Sequence, residues 1–132
     1  MKLITRDTDY AVRALCFIAK NKGQNVSVTK IVEELGIPRP FLRKILQVLH
    51  QNGILKSSKG FGGGFTLEMA PEKIYLVDLI EIFQGSVKIN ECLFKKRVCH
   101  RIQNCKLRKQ LDEIQEYVIS KLKNVTLASL LD

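Results

Sequence analysis

No two of the four cysteines stand in a CxxC pair, and nothing resembles a carboxylate pair or a Ser–His–acid set. A thiol redox enzyme or a metal-dependent hydrolase therefore lacks its usual residues, and no enzymatic activity is expected. No apolar run is long enough to span a bilayer, and the opening "MKLITRDTDYA" has no signal-peptide pattern. These absences lead us to expect a cytoplasmic protein without a membrane partner. Thiols in that compartment are kept reduced, which argues against a structural disulfide. Internal repeats and low-complexity tracts are also missing. Acidic residues are scarce: 13 against 22 Lys and Arg, for a net charge of +9.

What is present suits a globular chain. The 132 residues are 45% hydrophobic, enough for one domain with a core and an appended element. The positive charge is uneven. Residues 1–67 hold 11 Lys/Arg against 4 Asp/Glu, and residues 68–132 hold 11 against 9. The first half thus reads as a surface for a polyanion.

"TDYAVRALCFIAKNKG" predicts a largely buried helix closed by Gly23, with Tyr10, Ala11, Ala14, Leu15 and Ile18 inward and Cys16 as a small buried residue. "SVTKIVEELG" predicts a second, with Ser27 as N-cap and Gly36 just past its end. "IPRPFLRKILQVLHQNG" predicts a third, with Pro38 or Pro40 in its first turn and Gly53 at its end. The short, glycine-containing junction "LGIP" suits a helix–turn–helix.

At 100° per residue the third helix divides. Leu42, Ile45, Leu46 and Leu49 fall on one face. Arg39, Arg43, Lys44, Gln47, His50 and Gln51 fall on the other. Arg can bond guanine twice, Gln can pair with adenine and Lys can meet phosphate, so this face suits a major groove. "ILKSSKGFGGGFTL" follows as strand, tight turn and return strand, the arrangement of a wing. Its tip, with Lys56, Ser58, Lys59, Gly60, Gly62 and Gly63, can lie in a minor groove or on phosphates. A mononucleotide loop is excluded, because no Lys-Ser/Thr and no helix follow the glycines. With Arg39, Pro40, Arg43, Lys44 and Gln47, these residues form the expected contact with double-stranded DNA.

In the second half, "YLVDLIEIFQG" predicts a short helix packing beneath the wing through Leu76, Leu79, Ile80 and Phe83. "CKLRKQLDEIQEYVISKLKNV" predicts a long one. Its Leu107, Leu111, Ile114, Val118 and Leu122 recur at the spacing of a helix–helix seam. A chain this short has little left to cover that seam, so a symmetric homodimer is expected. Such a dimer suits a palindromic operator. "TLASLLD" predicts a last short helix capped by Thr126. The expected fold is mainly α with a small β-wing. Residues 1–85 form a winged helix–turn–helix; residues 86–132 form a cysteine loop and dimerisation helix packed with it as one unit.

Three cysteines remain, Cys92, Cys99 and Cys105, spaced C-x6-C-x5-C. The spacing matches neither close zinc pairs nor ferredoxin runs. Between Cys92 and Lys109 there are seven Lys or Arg and no acid, surroundings that favour the thiolate that metal binding needs.

"DYAVRAL", "LRKILQVLHQNGILKSSKGFGGGFTL" and the three cysteines before the long helix together resemble the Rrf-two family of winged-helix regulators, over essentially the whole chain. The resemblance implies a homodimeric transcription factor, often a repressor. In cluster-bearing members the cysteine loop holds a 2Fe–2S or 4Fe–4S iron–sulfur cluster. Family members often have five residues in both gaps; here the first has six. One family type completes the ligand set with a histidine three residues after the last cysteine, where this chain has Arg108. Another type uses an aspartate near the partner's N-terminus, and Asp9 matches it, with Asp7 and His100 as weaker candidates. The same fold without a cluster, controlled by a small molecule, thiol oxidation or a partner protein, stands as the alternative.

Overall fold

The computed structural model describes residues 2–89 and 105–131. Three helices come first: α1 (Arg6–Lys20), α2 (Val28–Leu35) and α3 (Arg39–Gln51). A hairpin of β1 (Leu55–Ser58) and β2 (Gly64–Leu67) follows, with Leu55 opposite Leu67 and Ser58 opposite Gly64. A 3-10 turn (Pro71–Lys73) leads into α4 (Leu76–Gln84), and after the thiol segment comes α5 (Lys106–Leu122). A 3-10 turn (Ala128–Leu130) closes the chain. Its N-cap is Leu127, one residue after the expected Thr126, whose hydroxyl still accepts from the Ser129 N–H at 3.2 Å. No helix among the described residues is long and apolar enough to cross a membrane.

Local chemistry accounts for the boundaries. The Ser27 hydroxyl accepts the Lys30 N–H at 3.1 Å and starts α2. Gly36 ends it in the left-handed region at φ 66°, which glycine alone adopts without strain. Pro38 stands at the N-cap of α3, where its missing N–H costs nothing. The turn between α2 and α3 is three residues long, and Ile37 within it is buried.

One core joins these pieces. Ala11, Ala14, Leu15 and Ile18 of α1 pack with Ile31 of α2, Leu42, Ile45, Leu46 and Leu49 of α3, and Leu55 of β1. The inner stripes expected of the first and third helices are all buried except Tyr10, which is half-exposed, as is Cys16. α4 departs from expectation: its main neighbour is α1 rather than the wing. Burial of Leu76 and Ile80 there leaves one edge of α4 for Leu122 of α5.

Two polar devices tie distant segments together. Thr8 is the one buried polar residue of the described core. Its hydroxyl donates to Gln84 Oε1 at 2.7 Å, the Thr5 N–H donates to the same oxygen at 2.9 Å, and Gln84 Nε2 donates to the Leu3 carbonyl at 3.2 Å. The end of α4 is thus tied to the start of α1. The second device is backbone pairing near the C-terminus. The Leu76 N–H donates to Val125 and the Leu127 N–H to Ile74, which binds residues 125–127 beside the entry to α4.

Candidate nucleic-acid interface and thiol segment

The outer face of α3 is set by its buried face. Once Leu42, Ile45, Leu46 and Leu49 turn inward, Pro40, Arg43, Lys44 and Gln47 must face solvent, and all four are exposed. Among the described residues Arg43, Lys44, Lys56 and Lys59 make no salt bridge. These cations keep their charge free for an outside anion. Arg39 differs. It is half-buried at the first position of α3 and donates to the Thr29 hydroxyl at 3.1 Å. Thr29 thereby positions one edge of the guanidinium, a role that its sequence context did not signal.

The wing leaves directly from the end of α3. His50 is not free on the polar face, because its Nδ1 donates to the Leu55 carbonyl at 3.0 Å and clasps the hairpin to the helix. On the other side β2 is braced by the segment before α2: Val26 and Phe65 exchange two backbone hydrogen bonds at 2.9 Å. The tip follows from its glycines. A Cβ on Gly63 would stand 2.3 Å from the Ser58 carbonyl oxygen and 2.9 Å from that of Gly60, so only glycine closes this turn. Lys56, Ser58, Lys59, Gly60 and Gly62 are exposed along the hairpin, and Gly63 is half-buried. Phe61, which the charge and glycine pattern passed over, is fully exposed at the apex.

Arg6 lies over the ring of Phe41 at 4.5 Å and within 3.8 Å of Asp7. The start of α1 therefore touches the first turn of α3, where Phe41 is exposed. This link joins the two ends of the chain's candidate chemistry. Sequence spacing did not reveal it.

Of the thiol residues, Cys92 and Cys99 lie outside the described residues, as does His100. Cys105 is half-buried and caps α5; its Sγ accepts weakly from the Arg108 N–H at 3.5 Å. Cys105 thus stands at the N-terminus of α5, and Lys106, Arg108 and Lys109 follow it in the first turn. Asp9 is half-exposed in the first turn of α1 and accepts from Arg13 Nε at 2.9 Å. The pair engages only Oδ2 of the carboxylate. Among the described residues no group of three or more His, Cys, Asp or Glu is gathered around a metal position.

The seam expected on α5 divides in two. Leu122 is 7% exposed and packs on Leu76 and Ile80, with Val118 against the same cluster. These two side chains make contacts within the chain. Leu107 at 68% and Ile114 at 51% are open, with Tyr117 beside them and Leu111 half-exposed.

A helix–turn–helix with a hairpin after its second helix defines a winged-helix regulator. The comparisons agree with that class. From residue 4 to residue 132 the chain matches the Rrf2 family, described as iron-dependent transcriptional regulators, and it belongs to that family. It is 33% identical over 125 residues to a protein of Aquifex aeolicus named as an HTH-type transcriptional regulator, covering 93% of this chain and 87% of that one. Among solved structures it is similar to CymR, the global cysteine regulator of B. subtilis. The TM-score is 0.81 at 23% identity, with 98% of this chain and 96% of that chain covered. It is also similar to T. potens IscR, with a TM-score of 0.75 at 25% identity and coverage of 98% and 85%.

Proposed function

We propose that this transcriptional regulator acts as a homodimeric repressor on a palindromic operator, with α3 in the major groove and the wing on the minor groove or phosphates. The observation that carries this reading is the set of exposed cations on α3 and the hairpin, Arg43, Lys44, Lys56 and Lys59, none of which makes a salt bridge among the described residues. Leu107, Leu111 and Ile114, with Tyr117, supply the seam between two copies of α5, and the fully engaged Leu122 is not part of it.

The sensing element is the thiol segment. Cys92, Cys99 and Cys105 would hold an iron–sulfur cluster, with Asp9 of the partner subunit as the oxygen ligand. A 2Fe–2S or 4Fe–4S cluster there would supply a link that nitric oxide, oxygen or iron shortage can break. The chain's residues carry the consequence. Gln84 ties the root of the thiol segment to Thr5 just before α1 and to Thr8 within it, and Arg6 of α1 rests on Phe41 of α3. A change at the thiols therefore has a packed route to the recognition helix, and the two states differ in operator fit. Three observations support the cluster: the three-cysteine pattern, the cap position of Cys105, and a family described as iron-dependent. The second reading is a cluster-free sensor of small molecules or thiol oxidation. The fold shared with a global cysteine regulator favours it.

An absorption spectrum of protein purified without oxygen, with iron and sulfide counted per chain, separates the two. Visible absorption with about two or four irons per chain supports the cluster. A colourless, iron-free chain that resists reconstitution leaves the DNA-binding reading and removes the cluster.

A further inference from the structure

We propose that Phe61 is an apolar wedge that enters the operator beneath the wing and partly unstacks one base step; this rests on the reading that the wing meets DNA. An exposed apolar side chain alone is commonplace. What distinguishes Phe61 is its seat. The Gly63 N–H donates to the Gly60 carbonyl at 3.0 Å, so residues 60–63 form a closed turn with Phe61 at its first corner. Gly62 at the second corner has φ 77°, the value a type II turn demands. Gly63 cannot carry a Cβ, and the Asn25 amide donates to the Gly62 carbonyl at 3.3 Å. The apex is thus braced, and the ring is held out at 111% exposure. The turn backbone is thus set before binding, and only the rotamers of the ring itself remain to be ordered.

The surroundings choose the occupant. Ser57, Ser58, Lys59, Gly60, Gly62 and Gly63 flank the ring, and none offers an apolar side chain. A protein partner would meet a lone aromatic with no greasy surround, whereas hot spots on protein interfaces sit in clusters that exclude water. DNA meets a narrow tip of bare backbone that can pass between groove walls, cations that hold the phosphates, and one ring of base-like flatness. Apolar wedges on minor-groove binders act in this way, most cheaply at flexible pyrimidine–purine steps.

The test uses duplexes selected from random-sequence DNA by the wild-type full chain, prepared without oxygen. 2-Aminopurine is placed singly at each step around the half-site. Wild-type protein should raise its fluorescence at one step per half-site. Phe61→Ala should abolish that rise and weaken binding roughly tenfold, about 1.4 kcal/mol, with an unchanged salt slope because the phosphate contacts remain. Phe61→Leu should keep part of both effects. Circular dichroism melts check that Phe61→Ala is folded. Wild-type binding with no fluorescence rise, and a Phe61→Ala affinity equal to it, overturns the wedge alone and assigns the ring to solvent or a protein. A wild-type chain with no salt-dependent DNA binding overturns the wedge and the DNA-binding reading together.

Discussion

Arg43, Lys44 and Gln47 stand outward because Leu42, Ile45, Leu46 and Leu49 are buried, and their side chains can therefore be changed without disturbing the core. Gln47→Ala should cost about 1–3 kcal/mol of discrimination between operator and random DNA and leave the melting temperature alone. Competition binding measures it; equal losses on both DNAs would remove Gln47 from base readout. Lys59→Ala should weaken binding on any sequence and lower the salt slope by about one, read from affinities at several salt concentrations. Arg39→Ala is less clean, since it also releases Thr29. Gly63→Ala belongs to this scale as well. The added methyl would press on the Ser58 and Gly60 carbonyls, and overpacking of this kind costs about 1–3 kcal/mol. The wing tip should open and operator affinity should fall while the helical signal persists. Wild-type binding by Gly63→Ala would show that the tip geometry does not matter.

At the scale of elements, α5 carries two surfaces along one stripe. Ile114→Asp should convert a dimer to folded monomers in sedimentation velocity. Leu122→Ala should leave the dimer seam intact and cost about 2–5 kcal/mol of stability in chemical denaturation, since it empties a site beside Leu76 and Ile80. A monomeric wild type, or an Ile114→Asp chain that stays dimeric, would put the interface elsewhere. The same helix shows how far the sequence can be read. Spacing identifies an apolar face, but it does not say which neighbour covers which part of it, so the packing of Leu122 on Leu76 and Ile80 was not legible. α2 and α3 were legible to their caps, because Ser27, Gly36 and the proline at 38 act through local backbone chemistry. The partner of Thr8 was not legible, since Gln84 lies 76 residues away and only tertiary packing brings them together. The exposed polar face of α3 was legible in Arg43, Lys44 and Gln47. The clasp of His50 on Leu55, the Arg6–Phe41 stack and the exposed Phe61 emerge only once α1, α3 and the hairpin are placed.

At the scale of the molecule, the thiol segment is anchored at both ends. Its root follows α4, which Gln84 binds to the start of α1, and its last cysteine caps α5, whose far end packs back on α4. The first half of the chain carries most of the net positive charge, and the second half carries the exposed Leu107, Ile114 and Tyr117 and three of the four cysteines. In the proposed function, binding and sensing use different residues joined through α1 and α4. That separation permits a coupling free energy between the two sites, typically about 1–3 kcal/mol. The most direct measurement is a titration of a selected operator duplex with oxygen-free protein, repeated after a chelator has removed iron. The account predicts tight, salt-dependent binding whose affinity shifts by roughly five- to 150-fold on iron removal, and no shift when Cys105→Ala protein is treated the same way. Identical affinity before and after removal, in a chain shown to carry iron, would contradict it.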